Sequence, residues 1–161
     1  MCENIRQMSY LCGVNKLKME NQSILEEPML TYGAIDDNNV FRFVDAVRKG
    51  IAYLFFVKLV KNSPFNLQEW SGFLHLSERT LQRHKKENSV FDPVSSEKIL
   101  EITMLYNYGN DVFGNKEKFG KWLNNENIAL GGICPKTLLD SSFGIQIVKD
   151  ELTRIEHGVF A

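Results

Sequence analysis

Seven side chains suited to nucleic acid fall within ten residues: Ser77, Arg79, Thr80, Gln82, Arg83, Lys85 and Lys86. Arg carries a planar fork that bonds O6 and N7 of guanine together, and Gln does the same with adenine. The Ser77 and Thr80 hydroxyls, with backbone N–H groups near a helix start, suit phosphate oxygens. Lys85 and Lys86 suit phosphates as point charges. Glu78 can accept from cytosine or complement the positive end of a helix dipole.

Such side chains read DNA only if a rigid support aims them. The stretch 67–87, LQEWSGFLHLSERTLQRHKKE, has the pattern of a helix-turn-helix, two short helices held at a steep angle by apolar anchors. Trp70, Leu74, Leu76, Leu81 and His84 fit the anchors, and Ser71 fits the small position where the helices touch. Ser77 fits the N-cap of the second helix. That helix then presents Arg79, Gln82, Arg83 and Lys86 outward. Many such turns use Gly where His75 stands, because the backbone there takes positive φ; His is among the non-Gly residues that tolerate it. The blander alternative is a short basic helix solvating a core.

The chain has 161 residues, 43% hydrophobic and 24% charged, with a net charge of −1. That is ordinary globular composition, which excludes whole-chain disorder. The near-zero total conceals segregation. Residues 1–39 carry −3, residues 40–90 carry +5 and residues 91–161 carry −3. A basic middle between acidic flanks is a hint of nucleic-acid contact.

Other classes are poorly served. The cysteines, Cys2, Cys12 and Cys134, are odd in number and widely spaced, and His75, His84 and His157 complete no zinc pattern. Reduced thiols in a cytoplasm are expected, with no structural metal. The most apolar run, at 51–60, contains Lys58 and is far short of the roughly 20 residues that span a bilayer. No signal peptide is indicated. No triad order, phosphate loop or paired-carboxylate motif suggests an enzyme.

Periodicity predicts an all-α chain. Residues 1–39 read as an arm with no sustained period, whose Asn38 or Asn39 can cap the first helix. Val40, Phe43, Val44 and Val47, then Ile51, Leu54, Phe55 and Leu59, give two apolar stripes up to Asn62, separated at Gly50. After Ser63-Pro64 come helices over 67–74 and 78–87. Asp92-Pro93 marks a boundary between a domain at 40–92 and one at 93–161. Helices follow at 95–108, with Ile99, Ile102 and Tyr106 inward, and at 116–123, with Phe119, Trp122 and Leu123 inward. A short helix starts at Pro135. The last runs over 142–157, with Ile145, Val148, Leu152 and Ile155 inward and Gly158 as its cap.

The C-terminal half carries Val112-Phe113-Gly114, Trp122-Leu123, Asn127, Ala129-Leu130-Gly131-Gly132, Pro135, Leu138-Leu139, Gly144, Val148, Leu152 and the ending Ile155 to Ala161. In these residues it resembles the C-terminal domain of the Xre/MbcA/ParS-type antitoxins, the partners of RES-domain toxins. The resemblance extends upstream through Ser77 to Lys86 and covers about 40–161; His75 and the long arm depart from it. It implies an Xre-like helix-turn-helix domain that dimerises and represses its own operon. It also implies a small helical domain that covers the active site of an NAD-degrading RES toxin, in a higher-order complex. The toxin-binding residues would be Asn127, Leu130, Gly131, Gly132, Glu156, His157, Gly158, Val159, Phe160 and Ala161. The chain itself would need no cofactor and would not meet a membrane. Independently, Leu130-Gly131-Gly132 reads as a tight loop that lets another backbone approach, or as a plain connector. An apolar Val159-Phe160-Ala161 end can enter a pocket or fold back on its own helices. A stand-alone helix-turn-helix regulator is the alternative.

Overall fold

The structure is a computed structural model in which residues 40–159 are described. The arm at 1–39 lies outside the described residues, with Asn38, Asn39, Cys2 and Cys12, and so do Phe160 and Ala161. The described residues are all-α. Among them seven α-helices run in order: α1 (Val40–Lys49), α2 (Tyr53–Asn62), α3 (Leu67–Phe73), α4 (Glu78–Glu87), α5 (Pro93–Phe113), α6 (Lys116–Asn124) and α7 (Ser142–Glu156). Two 3-10 turns, Ile128–Leu130 and Pro135–Asp140, lie between α6 and α7.

Local chemistry sets the boundaries. Gly50 ends α1 at φ +85, and a Cβ there would sit 2.3 Å from the Phe91 carbonyl oxygen. That close approach ties the entry to α2 against the entry to α5. The Phe91 N–H donates to the Ile51 carbonyl at 2.8 Å. The Ile51 N–H in turn donates to Ser96 Oγ at 2.9 Å. Asp92 caps α5 by accepting from the Val94 and Ser95 N–H groups, both at 3.0 Å, and Pro93 occupies the first turn, where no N–H is needed. The Ser95 hydroxyl donates to the same carboxylate at 2.6 Å. These bonds, the Ser95 hydroxyl foremost, hold the Asp92 pKa below its usual value.

α5 is the central strut, packing on α1, α6 and α7. It is longer than the expected 95–108 because Gly109 does not break it. A Cβ at Gly109 would lie 2.1 Å from Phe119 Cζ, so the glycine is where α6 presses its aromatic ring against α5. The helix ends instead at Gly114, φ +61. Being surrounded, α5 buries more than the single stripe of Ile99, Ile102 and Tyr106. Ser96, Leu100, Thr103, Met104 and Leu105 are buried as well. The Thr103 hydroxyl is satisfied by donating to the Ile99 carbonyl at 2.7 Å.

Three apolar expectations are corrected. Leu54 is 59% exposed, and Phe56 is fully buried in its place. Phe56 meets Trp70 edge-on at 5.4 Å and Phe91 at 5.0 Å between centroids, a larger apolar contact than Leu54 offers. Ile155 is half-buried, whereas Glu151 of the same helix is buried. Val44, expected inward, is also exposed, beside an exposed Phe41.

Candidate functional site

The segment 67–87 forms two short helices joined by a tight turn. Asn66 and Glu69 form a reciprocal capping box at the start of α3, with bonds of 2.9 and 2.8 Å. Trp70, Leu74 and Leu81 are buried anchors and Leu76 is half-buried. Ser71 fastens the turn twice. Its carbonyl accepts from the Leu76 N–H at 3.0 Å, and its hydroxyl donates to the Leu76 carbonyl at 2.6 Å. A larger residue at 71 would fill the space these bonds need. His75 takes positive φ, +52, as its position in the turn demands. Its Nε2 donates to the Asp140 carbonyl at 2.9 Å, which ties the turn to the C-terminal half.

Ser77 caps α4 by accepting from the Thr80 N–H at 3.1 Å. Its hydroxyl also bonds Thr80 Oγ1 at 2.9 Å, so these two hydroxyls are held together at the helix start. Arg79, Gln82, Arg83 and Lys86 are exposed at i, i+3, i+4 and i+7 and line one shallow concavity with Thr80. No ion pair among the described residues engages these cations. Lys85 is exposed but lies outside that concavity, one turn on from the buried Leu81; it sits on the helix flank. His84 is an anchor and not a reader of bases. Its ring stacks on Phe91 at 4.5 Å and its Nδ1 bonds Ser89 Oγ at 2.7 Å. Burial, and secondarily the Arg83 charge, push its pKa down.

The residues expected from the resemblance fall in two places. Asn127 opens the first 3-10 turn, its side chain accepting from the Ala129 N–H at 2.8 Å. Its backbone closes the loop, with the N–H donating to the Ile133 carbonyl at 3.2 Å and the carbonyl accepting from Gly132 at 2.9 Å. Gly131 and Gly132 have φ of +74 and +78, and a Cβ on either would meet nothing within 4 Å. These glycines therefore serve the left-handed backbone and leave an open outer surface. Leu130 is half-buried, and Ile128 is 95% exposed at the crest.

The second place is the end of α7. Glu156 is exposed and accepts from the Tyr108 hydroxyl at 2.6 Å. Burial, then the Glu156 contact, raises the Tyr108 pKa. Gly158 terminates the helix at φ +66. Its N–H donates to the Ile155 carbonyl at 3.1 Å, and the Val159 N–H donates to Arg154 at 2.9 Å, the paired bonds of a Schellman end. His157 and Val159 are exposed. Phe160 and Ala161 lie outside the described residues.

One link joins the halves. Lys136 Nζ donates to Glu69 Oε1 at 2.9 Å and also bonds Asn124 Oδ1. Burial pushes the Glu69 pKa up, but the Asn66 cap and then Lys136 together outweigh it and hold the pKa below its usual value. Nothing in the sequence marks this pair, which is 67 positions apart. Nor does it mark a groove where Phe113, Trp122, Ile128 and Ile155 meet Glu126 and Glu151. Phe113 and Trp122 are visible as family-like positions, but the carboxylates carry no sequence signal.

Comparisons with known proteins divide the chain at α5. Residues 42–103 match the antitoxin Xre-like helix-turn-helix domain. Residues 109–158 match the antitoxin Xre/MbcA/ParS C-terminal toxin-binding domain. An Antitoxin Xre of Yersinia enterocolitica is 33% identical over 84 residues, 52% of this chain and 57% of that protein. An Antitoxin Xre of Photorhabdus laumondii is 26% identical over 102 residues, 58% of this chain and 69% of that protein. A Prs ADP-ribosylating antitoxin of Sphingobium is 24% identical over 143 residues, 83% of this chain and 90% of that protein. The chain thus spans little more than half of the Yersinia relative. No helix among the described residues is long and apolar enough to cross a membrane.

Proposed function

The chain belongs to the Xre/MbcA/ParS antitoxin family, and on that premise we propose that it neutralises a RES-domain toxin and represses its own operon. The observation that carries the reading is the spacing of two exposed surfaces on one packed frame. One is the cationic face of α4; the other is the open Asn127–Ile133 loop with the end of α7. In this reading Arg79, Gln82, Arg83 and Lys86 contact base edges and phosphates. Ser77, Thr80 and the first N–H groups of α4 contact phosphate, with Lys85 adding charge from the flank.

Asn127, Leu130, Gly131, Gly132 and the residues from Glu156 to Ala161 contact the toxin and cover its active site. The NAD chemistry belongs to that partner, and this chain acts by binding. The Sphingobium relative, at 24% identity, is likewise called an antitoxin, its name joined to ADP-ribosylation. The repressing form is a cytoplasmic homodimer, which the toxin joins into a larger complex. The units are 40–92 for DNA and 93–161 for the toxin, with α5 shared structurally between them.

The test is co-expression with the RES-domain protein encoded beside this chain. That protein alone is expected to stop growth and deplete cellular NAD⁺, and this chain is expected to restore both. Growth arrest that persists with the chain present removes the antitoxin reading. DNA binding without any toxin partner leaves the stand-alone regulator.

A further inference from the structure

The toxin-binding reading does not say what chemistry the partner brings. The groove between the ends of α5 and α6, the loop crest and α7 speaks to that. Its apolar walls are Phe113, Trp122, Ile128 and Ile155. Two carboxylates, Glu126 and Glu151, line it, and no Lys or Arg does. Glu151 is only 8% exposed. Its Oε2 accepts from Arg154 Nη1 at 3.1 Å, and that arginine side chain is 52% exposed. A carboxylate sunk in an apolar surface, with one partner reaching in from solvent, favours a second cation. Phe113 and Trp122, with ring centroids 5.6 Å apart, line the same groove, where aromatic rings add attraction for a cation.

We propose that this groove receives a cationic side chain of the toxin, carried on an otherwise apolar segment that packs on Ile128. Arginine fits better than lysine. Its planar guanidinium can stack on Trp122 while bonding a carboxylate, which a compact ammonium cannot do. The proposal rests on the toxin-binding reading and deepens it. The chain's own Phe160-Ala161 carries no cation and does not match the groove's charge.

The test measures affinity for the intact RES-domain toxin, using the full chain and its Glu126→Gln, Glu126→Lys and Glu151→Gln variants. Glu126 is exposed, so its variants are expected to keep the wild-type melting temperature. Each carboxylate loss is expected to raise Kd by about tenfold or more. Glu126→Lys is expected to cost most, and the Glu126 variants are expected to show a shallower salt dependence than wild type. Retention on DNA is expected to be unchanged. Affinities within about twofold of wild type for all three variants overturn the groove assignment. So does a loss that appears in self-association of the chain and not in toxin binding. A tight wild-type complex indifferent to both carboxylates removes this inference alone. The absence of any wild-type complex removes the antitoxin reading with it.

Discussion

Gly109→Ala and Gly120→Ala put the same methyl group into two helices and are expected to act with opposite sign. In α6, a Cβ at Gly120 meets nothing within 4 Å. Only the backbone effect remains there, a gain of about 0.5–1 kcal/mol. In α5, a Cβ at Gly109 would lie 2.1 Å from Phe119 Cζ and 2.4 Å from both Cε atoms. Carbon atoms in contact sit about 3.5–4 Å apart, so ring and helix must separate by more than about 1 Å. Phe119 is fully buried and packed on Tyr106, Phe113 and Trp122, with centroids 5.7, 5.6 and 5.8 Å away. The ring cannot yield alone. Overpacking of this kind costs about 1–3 kcal/mol or more, which outweighs the propensity gain. Thermal or urea unfolding followed by circular dichroism reads the difference. In a chain this size each kcal/mol moves Tm by about 2–4 °C. Gly120→Ala is expected to rise and Gly109→Ala to fall, and Phe119→Leu is expected to rescue part of the fall. An equal rise in both variants would refute the α5–α6 packing on which Phe113 and Trp122 are mounted.

Three further outcomes concern other parts of the chain. His84 takes a proton less readily folded than unfolded, so the unfolded chain binds more protons just below pH 6.5, its ordinary pKa. Stability is therefore expected to fall as pH drops through that region, until the folded ring protonates too. His84→Phe is expected to flatten that limb of a pH–stability curve, and an unchanged slope would count against the assignment. Ser77→Ala removes the cap of α4 and is expected to cost about 1 kcal/mol in urea unfolding; no loss would mean the cap is not formed. Deleting Val159 to Ala161 is expected to impair neutralisation in the growth assay and to leave DNA binding intact. Full protection by the shortened chain takes the tail out of the mechanism.

The legible parts of the fold are those written in local chemistry. Ser77, the Asp92-Pro93 helix start, Pro135 and Gly158 act within a turn of their own position, and each begins or ends its helix where the sequence predicts; Gly50 also ends its helix as expected, but its close approach to Phe91 is not local. His75 belongs with them, since a turn of fixed length fixes its φ. The stripe in α2 is misread because nearly every residue of 51–57 is apolar, so no face stands out. The choice between Leu54 and Phe56 is made by Trp70 and Phe91, far along the chain. The end of α5 is read too early, at 108, because the packing of Gly109 against Phe119 comes from the next helix and leaves no local mark. Glu151 and the Lys136–Glu69 link are invisible for the same reason. Their partners are set by tertiary packing: Glu151 falls at the edge of the Val148–Leu152 stripe on a helical wheel, and its charge predicts exposure there. The α4 cations are legible because exposure and helical spacing alone define their face.

The central claim is that two surfaces of one chain do separate work, and Arg79→Ala with Arg83→Ala tests it most directly. In cells carrying the toxin and a reporter of the operon, this double variant is expected to lose repression. Each arginine is expected to contribute about 1–3 kcal/mol of operator affinity if it bonds a base. Neutralisation of the toxin is expected to stay complete. Repression at the wild-type level, or loss of repression and protection together in a stably folded variant, would contradict the account.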